Sequence, residues 1–166
     1  MTNHRQQTIP ASVWRHPLHF CAFGFGVGAI PVAPGTFGTL LAVPVYGLLQ
    51  TLSLPLYLTA VFLLLGFGVF CCHVTARDIG VHDHPGIVWD EITGYLVTMT
   101  AAPPGWLWMA IGFILFRFFD IVKPWPVRLL DRRVGGGLGI MLDDVMAAIY
   151  SMAVLQLLAR TDLVHL

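Results

Sequence analysis

Two pairs of adjacent acidic residues are the part of this sequence best suited to chemistry. Asp90 and Glu91 stand near the start of one apolar run, and Asp143 and Asp144 near the start of another. Neighbouring carboxylates repel each other unless a cation lies between them or one of them binds a proton. Because the sequence has no Cys-His spacing typical of zinc sites, these carboxylates favour a hard, oxygen-seeking ion such as Mg2+. The two pairs therefore predict a metal site formed by four residues.

A stretch containing several cations supplies groups that could bind a phosphate. In FRFFDIVKPWPVRLLDRR, residues 116–133, Arg117, Asp120 and Lys123 follow one another at intervals of three before Pro124 ends the helix. A carboxylate then lies between two cations, and these cations together with a bridging metal could hold a phosphate. Three further arginines admit a second interpretation, a basic cluster that contacts anionic lipid; they are Arg128, Arg132 and Arg133.

The segment GFGVGAIPVAPGTFGT, residues 24–39, is the third candidate. It fits neither the dinucleotide-binding pattern nor the P-loop, since no Gly-Lys-Ser/Thr follows its glycines. Its prolines and Gly35 predict a turn into a helix, which leaves Thr36 near the N-cap with backbone N–H groups exposed for an anion. A structural re-entrant turn explains the glycines almost as well, so both interpretations stay open.

Two weaker candidates are set aside. CCHVTAR, residues 71–77, has the C-x5-R spacing of cysteine phosphatases, but Cys71 lies in an apolar helix without a glycine-rich cradle, where burial disfavours the thiolate. We therefore reject a mechanism in which a cysteine attacks phosphate. His82 and His84 flank Asp83, and we expect them in a solvated loop at the membrane interface rather than on a metal.

The elements that must position these residues are apolar helices. Of the 166 residues, 57% are hydrophobic and 11% charged, which indicates an integral membrane protein in one domain, residues 1–166. At about 20 residues per membrane span, the chain divides into about five apolar runs. The first covers residues 36–52, and the second runs from the turn at 53–55 to residue 74. The other three cover residues 87–102, 106–119 and 140–159. The fold class predicted is all-α, a polytopic helical bundle. The net charge of zero gives no general affinity for nucleic acid.

Charge distribution predicts how the bundle is oriented. With the N-terminus inside, five spans place every lysine and arginine except Arg160 on the cytoplasmic side, in agreement with the positive-inside rule. Both acidic pairs lie on that side too. The first, third and fifth helices begin there, so their N-terminal dipole ends tolerate carboxylates. We therefore expect an active site that faces the cytoplasm.

Small residues predict that the two acidic pairs converge. Glu91 shares a helix face with Gly94 and Thr98, and Asp144 shares one with Ala147 and Ser151. Such faces let membrane helices approach closely, so the third and fifth helices could bring four acids to one site.

Four motifs in this order and spacing resemble the phosphatidylglycerophosphatase A family. They are GAIPVAPGTFGT, HDHPGIVWDE, FRFFDIVKPWPVRLLDRR and GGGLGIMLDD, and the resemblance covers about residues 24–151. It implies a Mg2+-dependent phosphatase of the bacterial inner membrane that converts phosphatidylglycerophosphate to phosphatidylglycerol and inorganic phosphate. The resemblance carries over, motif by motif, to Thr36, Asp83, Asp90, Glu91, Asp120, Lys123, Asp131, Asp143 and Asp144.

The residues suggest how such an enzyme would work. We expect Asp90, Glu91, Asp143 and Asp144 to hold Mg2+, with one carboxylate orienting an attacking water. Lys123 and Arg117 would bind phosphoryl oxygens, and Asp120 would position Lys123. These residues, with Thr36 and Arg132 on the substrate, form the expected site.

Two other classes remain open. A membrane transporter or proton relay would also carry carboxylates, although here they cluster towards one face of the membrane. A scaffold that binds anionic lipid through its basic loop would leave the acidic pairs unexplained.

Overall fold

The structure, a computed structural model, describes residues 9–81, 84–125 and 135–161. Within these ranges it contains α-helices and short 3-10 turns and no strand, which confirms the all-α prediction. The six helices in chain order are α1 (Pro17–Ala22), α2 (Pro34–Leu49), α3 (Leu54–Ile79), α4 (Trp89–Thr98), α5 (Trp106–Val122) and α6 (Gly136–Arg160).

Proline and glycine set most of the helix boundaries. Pro34 occupies the first turn of α2, where its missing N–H costs nothing. Helix α3 ends at Gly80, whose φ of 73° is left-handed and whose N–H closes the last turn onto the Ala76 carbonyl. Helix α5 begins after Gly105 and ends at Lys123, just before Pro124.

The short helix α4 lies at the centre of the bundle. It contacts α2, α3, α5 and α6, and eight of its residues are buried. Tyr95 and Leu96 are fully inaccessible, and the Tyr57 hydroxyl donates to the Leu96 carbonyl at 2.6 Å. Charged side chains on the first turn of α4 therefore lie inside the bundle, surrounded by the other helices.

Exposed large apolar side chains and buried carboxylates distinguish this bundle from a soluble domain. Asp90, Asp143 and Asp144 are buried, whereas Leu48 and Phe62 are 76% and 75% exposed. Large apolar side chains on the outside and carboxylates inside are typical of a helical bundle surrounded by lipid.

Helix lengths support only part of the predicted five-span arrangement. Two helices, α3 and α6, are long and apolar enough to cross a membrane. Helices α2 and α5 have 16 and 17 residues and α4 has 10, below the roughly 20 residues of a full span. The third predicted run, 87–102, is therefore longer than the helix it contains, because the chain leaves helical geometry before Pro103 and Pro104.

Candidate functional site

Three carboxylates meet inside the bundle. One oxygen from each of Asp90, Glu91 and Asp144 lies within 4.8 Å of the others. The first two residues lie in the first turn of α4, and Asp144 lies in α6 about two turns from its start. The structure thus brings together one acidic pair and one member of the other.

The chemistry of these carboxylates fits a bound divalent cation. Glu91 Oε2 and Asp144 Oδ2 are buried and have no hydrogen-bond donor among the described residues. Buried carboxylates that approach one another are costly unless a cation or a proton neutralises them. Oxygen ligands alone, with no nitrogen or sulfur in the group, are the set that Mg2+ prefers.

Two hydrogen bonds fix the start of α4, just before its acidic pair. The Trp89 indole N–H donates to the Leu64 carbonyl of α3 at 3.1 Å, and the Val88 N–H donates to the Ala22 carbonyl at the end of α1 at 2.9 Å. These bonds hold the first turn of α4 against its neighbours. The positions of both carboxylates therefore depend on contacts outside their own helix.

Glycines allow α6 to bring Asp144 to this turn. A Cβ on Gly94 of α4 would lie 2.6 Å from the Phe116 ring and 3.4 Å from Asp144 Cβ. At the start of α6, a Cβ on Gly137 would overlap the Val69 carbonyl of α3, and the Gly137 N–H donates to His73 Nδ1 at 3.4 Å. The glycine-rich start of α6 is thus a close helix contact.

Arg117 joins the acidic group to the end of α5. Its Nη1 lies 2.6 Å from Asp120 Oδ2 and 3.9 Å from Glu91 Oε1. The Arg117 side chain is only 15% exposed, and its Nε has no hydrogen-bond acceptor among the described residues. An arginine with an unused donor beside carboxylates is suited to bind an anionic ligand that enters the site.

Lys123 forms an ion pair with Asp143 across the gap between α5 and α6. The other oxygen of that carboxylate, Oδ1, accepts the Asp144 N–H at 3.0 Å. Lys123 itself has a left-handed backbone with φ of 44°, which ends α5. Asp143 therefore lies beside the group of three carboxylates but is not among them. Asp120, which we expected to position Lys123, pairs with Arg117 instead.

The start of α2 closes the site. A Cβ on Gly35 would overlap Glu91 Oε1 and lie 3.2 Å from Arg117 Nη1. Thr36 follows directly, half-buried in the first turn, with its N–H on the Ala33 carbonyl at 3.0 Å. Sequence reasoning selected Thr36 but attributed the glycine to the turn. The PGT motif carried no sign of which side chains Gly35 would meet, because those contacts come from two other helices.

One prediction about the central motif is wrong. His84, expected in a solvated loop, is 4% exposed; its Nδ1 accepts the Gly86 N–H at 3.0 Å, and its ring lies 5.3 Å from that of Phe23. His84 is buried because Phe23, the residue just after α1, packs against it. Several other candidates lie outside the described residues: His82, Asp83, Arg128, Asp131, Arg132 and Arg133.

The cysteines have no nucleophilic environment. Cys71 is fully buried, and its thiol donates to the Gly68 carbonyl within α3 at 3.5 Å. Arg77, the other end of the C-x5-R spacing, is 67% exposed and pairs with Asp78. Burial and the neighbouring Cys71 raise the pKa of the Cys21 thiol. None of these features forms a phosphate cradle.

The fold and the site together define a helical protein with an internal acidic centre flanked by a lysine and an arginine. Comparison with known proteins narrows that class. The family model for phosphatidylglycerophosphatase A matches residues 20–159, and the chain belongs to this family.

Individual relatives agree with this assignment. A phosphatidylglycerophosphatase A of Escherichia coli K12 is 48% identical over 84% of this chain and 82% of its own length. One of Haemophilus influenzae is 46% identical over 84% and 86%. A putative phosphatidylinositol-3-phosphatase of Bacteroides thetaiotaomicron is 40% identical over 77% and 84%. No solved structure gives a significant match.

Proposed function

We propose that this protein is a Mg2+-dependent phosphatase that hydrolyses phosphatidylglycerophosphate to phosphatidylglycerol and inorganic phosphate. The observation that carries the proposal is the approach of Asp90, Glu91 and Asp144 within 4.8 Å, beside the Arg117 guanidinium. Membership of the family and the names of two relatives supply the substrate.

The metal ligands in this proposal are Asp90, Glu91 and Asp144. A magnesium ion bound there would neutralise phosphate charge and lower the pKa of a bound water. Asp143, predicted as a fourth ligand, has instead a partner in Lys123 and an N–H bond from Asp144, which favours a role in positioning that lysine.

The protein's own side chains bind and orient the substrate. Arg117 and Lys123 bind the phosphoryl oxygens, and each is held by its own carboxylate, Asp120 or Asp143. One carboxylate of the acidic group accepts a hydrogen bond from water and orients its oxygen towards phosphorus. That oxygen forms a bond to phosphorus as the water gives a proton to the carboxylate, the bond from phosphorus to the glycerol oxygen breaks, and the glycerol oxygen takes that proton.

We propose that α2 to α6 form five spans of the bacterial inner membrane, with the acidic site facing the cytoplasm. The starts of α2 and α4, the N-terminal part of α6 and the end of α5 gather at the site, as Gly35, Glu91, Asp143 and Lys123 indicate. An N-terminus inside the cell then places these ends on the cytoplasmic side. Nothing in the described residues favours the transporter considered from sequence.

Phosphate release from defined lipids tests this function. Purified protein in detergent is given phosphatidylglycerophosphate, with phosphatidylinositol 3-phosphate as the competing lipid because one relative bears that name. We expect release from phosphatidylglycerophosphate that stops in chelator and returns with added Mg2+. Equal release in chelator, or preference for the inositol lipid, would overturn the proposal.

A further inference from the structure

An apolar groove lies between α2 and α5, outside the acidic site. Its volume is about 370 Å3, within the size range of ligand-binding clefts. Every residue that lines it is apolar: Leu40, Val43, Trp106, Met109, Ala110, Phe113 and Ile114. Ile114 is 65% exposed and Leu40 53%, so the groove is open to the surroundings of the bundle.

The groove continues the site along both helices. On α5, Ala110 and Ile114 precede Arg117 by seven and three residues, which places all three on one helix face. On α2, Leu40 and Val43 follow Thr36 by four and seven residues and share its face. The same two helices meet at the site, where a Cβ on Gly35 would lie 3.2 Å from Arg117 Nη1. The groove therefore begins about one turn of α5 from Arg117.

We propose that this groove holds an acyl chain of the lipid whose phosphate lies at the acidic site. The inference rests on the proposed function and adds to it the part of the protein that recognises the lipid tail. From Ile114 to Trp106 the groove extends about 12 Å along α5, at 1.5 Å per residue. A cation at one end and an apolar channel running away from it match the polarity of a phospholipid.

A second apolar groove lacks that polarity. It has a volume of about 570 Å3 and is lined by residues that include Leu58, Phe62, Val97 and Met152. On α3 its lining residues belong to the N-terminal half, whereas the contact of α3 with the start of α6 is at His73. Neither groove is lined by a charged residue, but the second lies farther from the site, since Val97 is six residues from Glu91 along α4. This second groove is therefore the comparison site for the photo-crosslinking experiment described below.

Filling the α2–α5 groove gives the kinetic test. Ala110→Phe adds a ring to its floor, and Ala153→Phe, on an exposed position of α6, is the matched control. The substrates are dioleoyl phosphatidylglycerophosphate in detergent micelles and its water-soluble deacylated headgroup. Ala110→Phe should raise KM for the diacyl lipid about tenfold, equivalent to losing about two buried methylene groups. Both variants should retain kcat/KM for the headgroup within about twofold of the wild type.

The outcomes separate this inference from the proposed function. If Ala110→Phe loses activity on both substrates equally, or matches Ala153→Phe on the diacyl lipid, the acyl-chain site is wrong. If the wild type releases phosphate from neither substrate, the proposed function is wrong.

A photo-crosslinking experiment tests the groove without catalysis. A lipid phosphate with a diazirine in mid-chain is bound to the wild-type protein in chelator, irradiated and mapped by mass spectrometry. Labelling at Leu40, Phe113 or Ile114 supports the inference, and its loss in Ala110→Phe strengthens it. Labelling centred on Phe62, or spread over all exposed apolar residues, overturns it.

Discussion

Asp143 and Asp144 are adjacent in the chain but have different surroundings. Asp144 has a buried oxygen without a donor among the described residues and lies with Asp90 and Glu91. Asp143 forms an ion pair with Lys123 and accepts the N–H of its neighbour. Successive residues on a helix point about 100° apart, so adjacent acids can have different surroundings: Asp90 and Glu91 both reach the acidic group, whereas only Asp144 of the second pair does. We infer that one acid serves the metal and the other the phosphate-binding lysine.

A double-mutant cycle tests the second role. Lys123→Ala should lower kcat/KM for phosphatidylglycerophosphate about 100-fold, as loss of a charged donor to the transition state does. Asp143→Asn should lower kcat/KM about 10-fold or more, as loss of a side chain that positions a catalytic group does. If the two act as a unit, the double variant will be little worse than Lys123→Ala.

Arg77→Ala, which removes an exposed cation paired only with Asp78 among the contacts described above, is the control for this cycle and should retain activity. Fully additive losses in the double variant would show that Asp143 acts independently of Lys123.

At the scale of elements, the sequence predicted which helices meet but not which side chains contact one another between them. The small residues after Glu91 and Asp144 indicated a close approach of α4 and α6, and Gly94 lies at that contact. The predicted apolar runs 36–52, 106–119 and 140–159 overlap α2, α5 and α6, but α5 ends three residues later and α6 begins four residues earlier than predicted. The contacts of Gly35 and the burial of His84 did not follow, because each depends on side chains from helices distant in the chain.

Two glycines of α2 offer a matched test of helix packing. A Cβ on Gly35 would overlap Glu91, whereas a Cβ on Gly47 would have nothing within 4 Å. Gly35→Ala should therefore displace α2 or Glu91 and lower activity at least about tenfold, the effect of a misplaced site. Gly47→Ala should retain activity and raise stability by about 0.5–1 kcal/mol, since alanine is the better helix former.

Phosphate release and thermal unfolding of both variants provide the measurement. Full activity in Gly35→Ala would show that α2 does not close the site.

At the scale of the whole molecule, the apolar surface of the bundle indicates that it lies in a membrane. A ring of exposed apolar residues that includes Leu48, Phe62 and Ile114 would be unfavourable in water. Inside, buried acids are paired with cations or grouped together. Composition was enough to predict membrane insertion, because 57% of the chain is hydrophobic. It could not set the number of spans, because three of the five helices concerned are shorter than a bilayer is thick.

Labelling of single cysteines tests the five-span arrangement. In an otherwise cysteine-free chain, Leu52→Cys lies between α2 and α3, and Trp125→Cys lies just after α5. Both positions are exposed, at 39% and 80%. A membrane-impermeant maleimide added to intact spheroplasts should label Leu52→Cys at once and Trp125→Cys only after lysis. The reverse pattern would place the acidic site on the outer face.

The central claim is that Asp90, Glu91 and Asp144 together hold a divalent cation. Mn2+ accepts the same oxygen ligands as Mg2+ and is visible by electron paramagnetic resonance, so its binding to the purified protein can be titrated directly. Glu91→Gln and Asp144→Asn should each weaken Mn2+ binding at least about tenfold. Asp78→Asn should leave it unchanged, because Asp78 lies outside the acidic group and pairs with Arg77 and His19. Equal affinity in the wild type and all three variants would contradict the account.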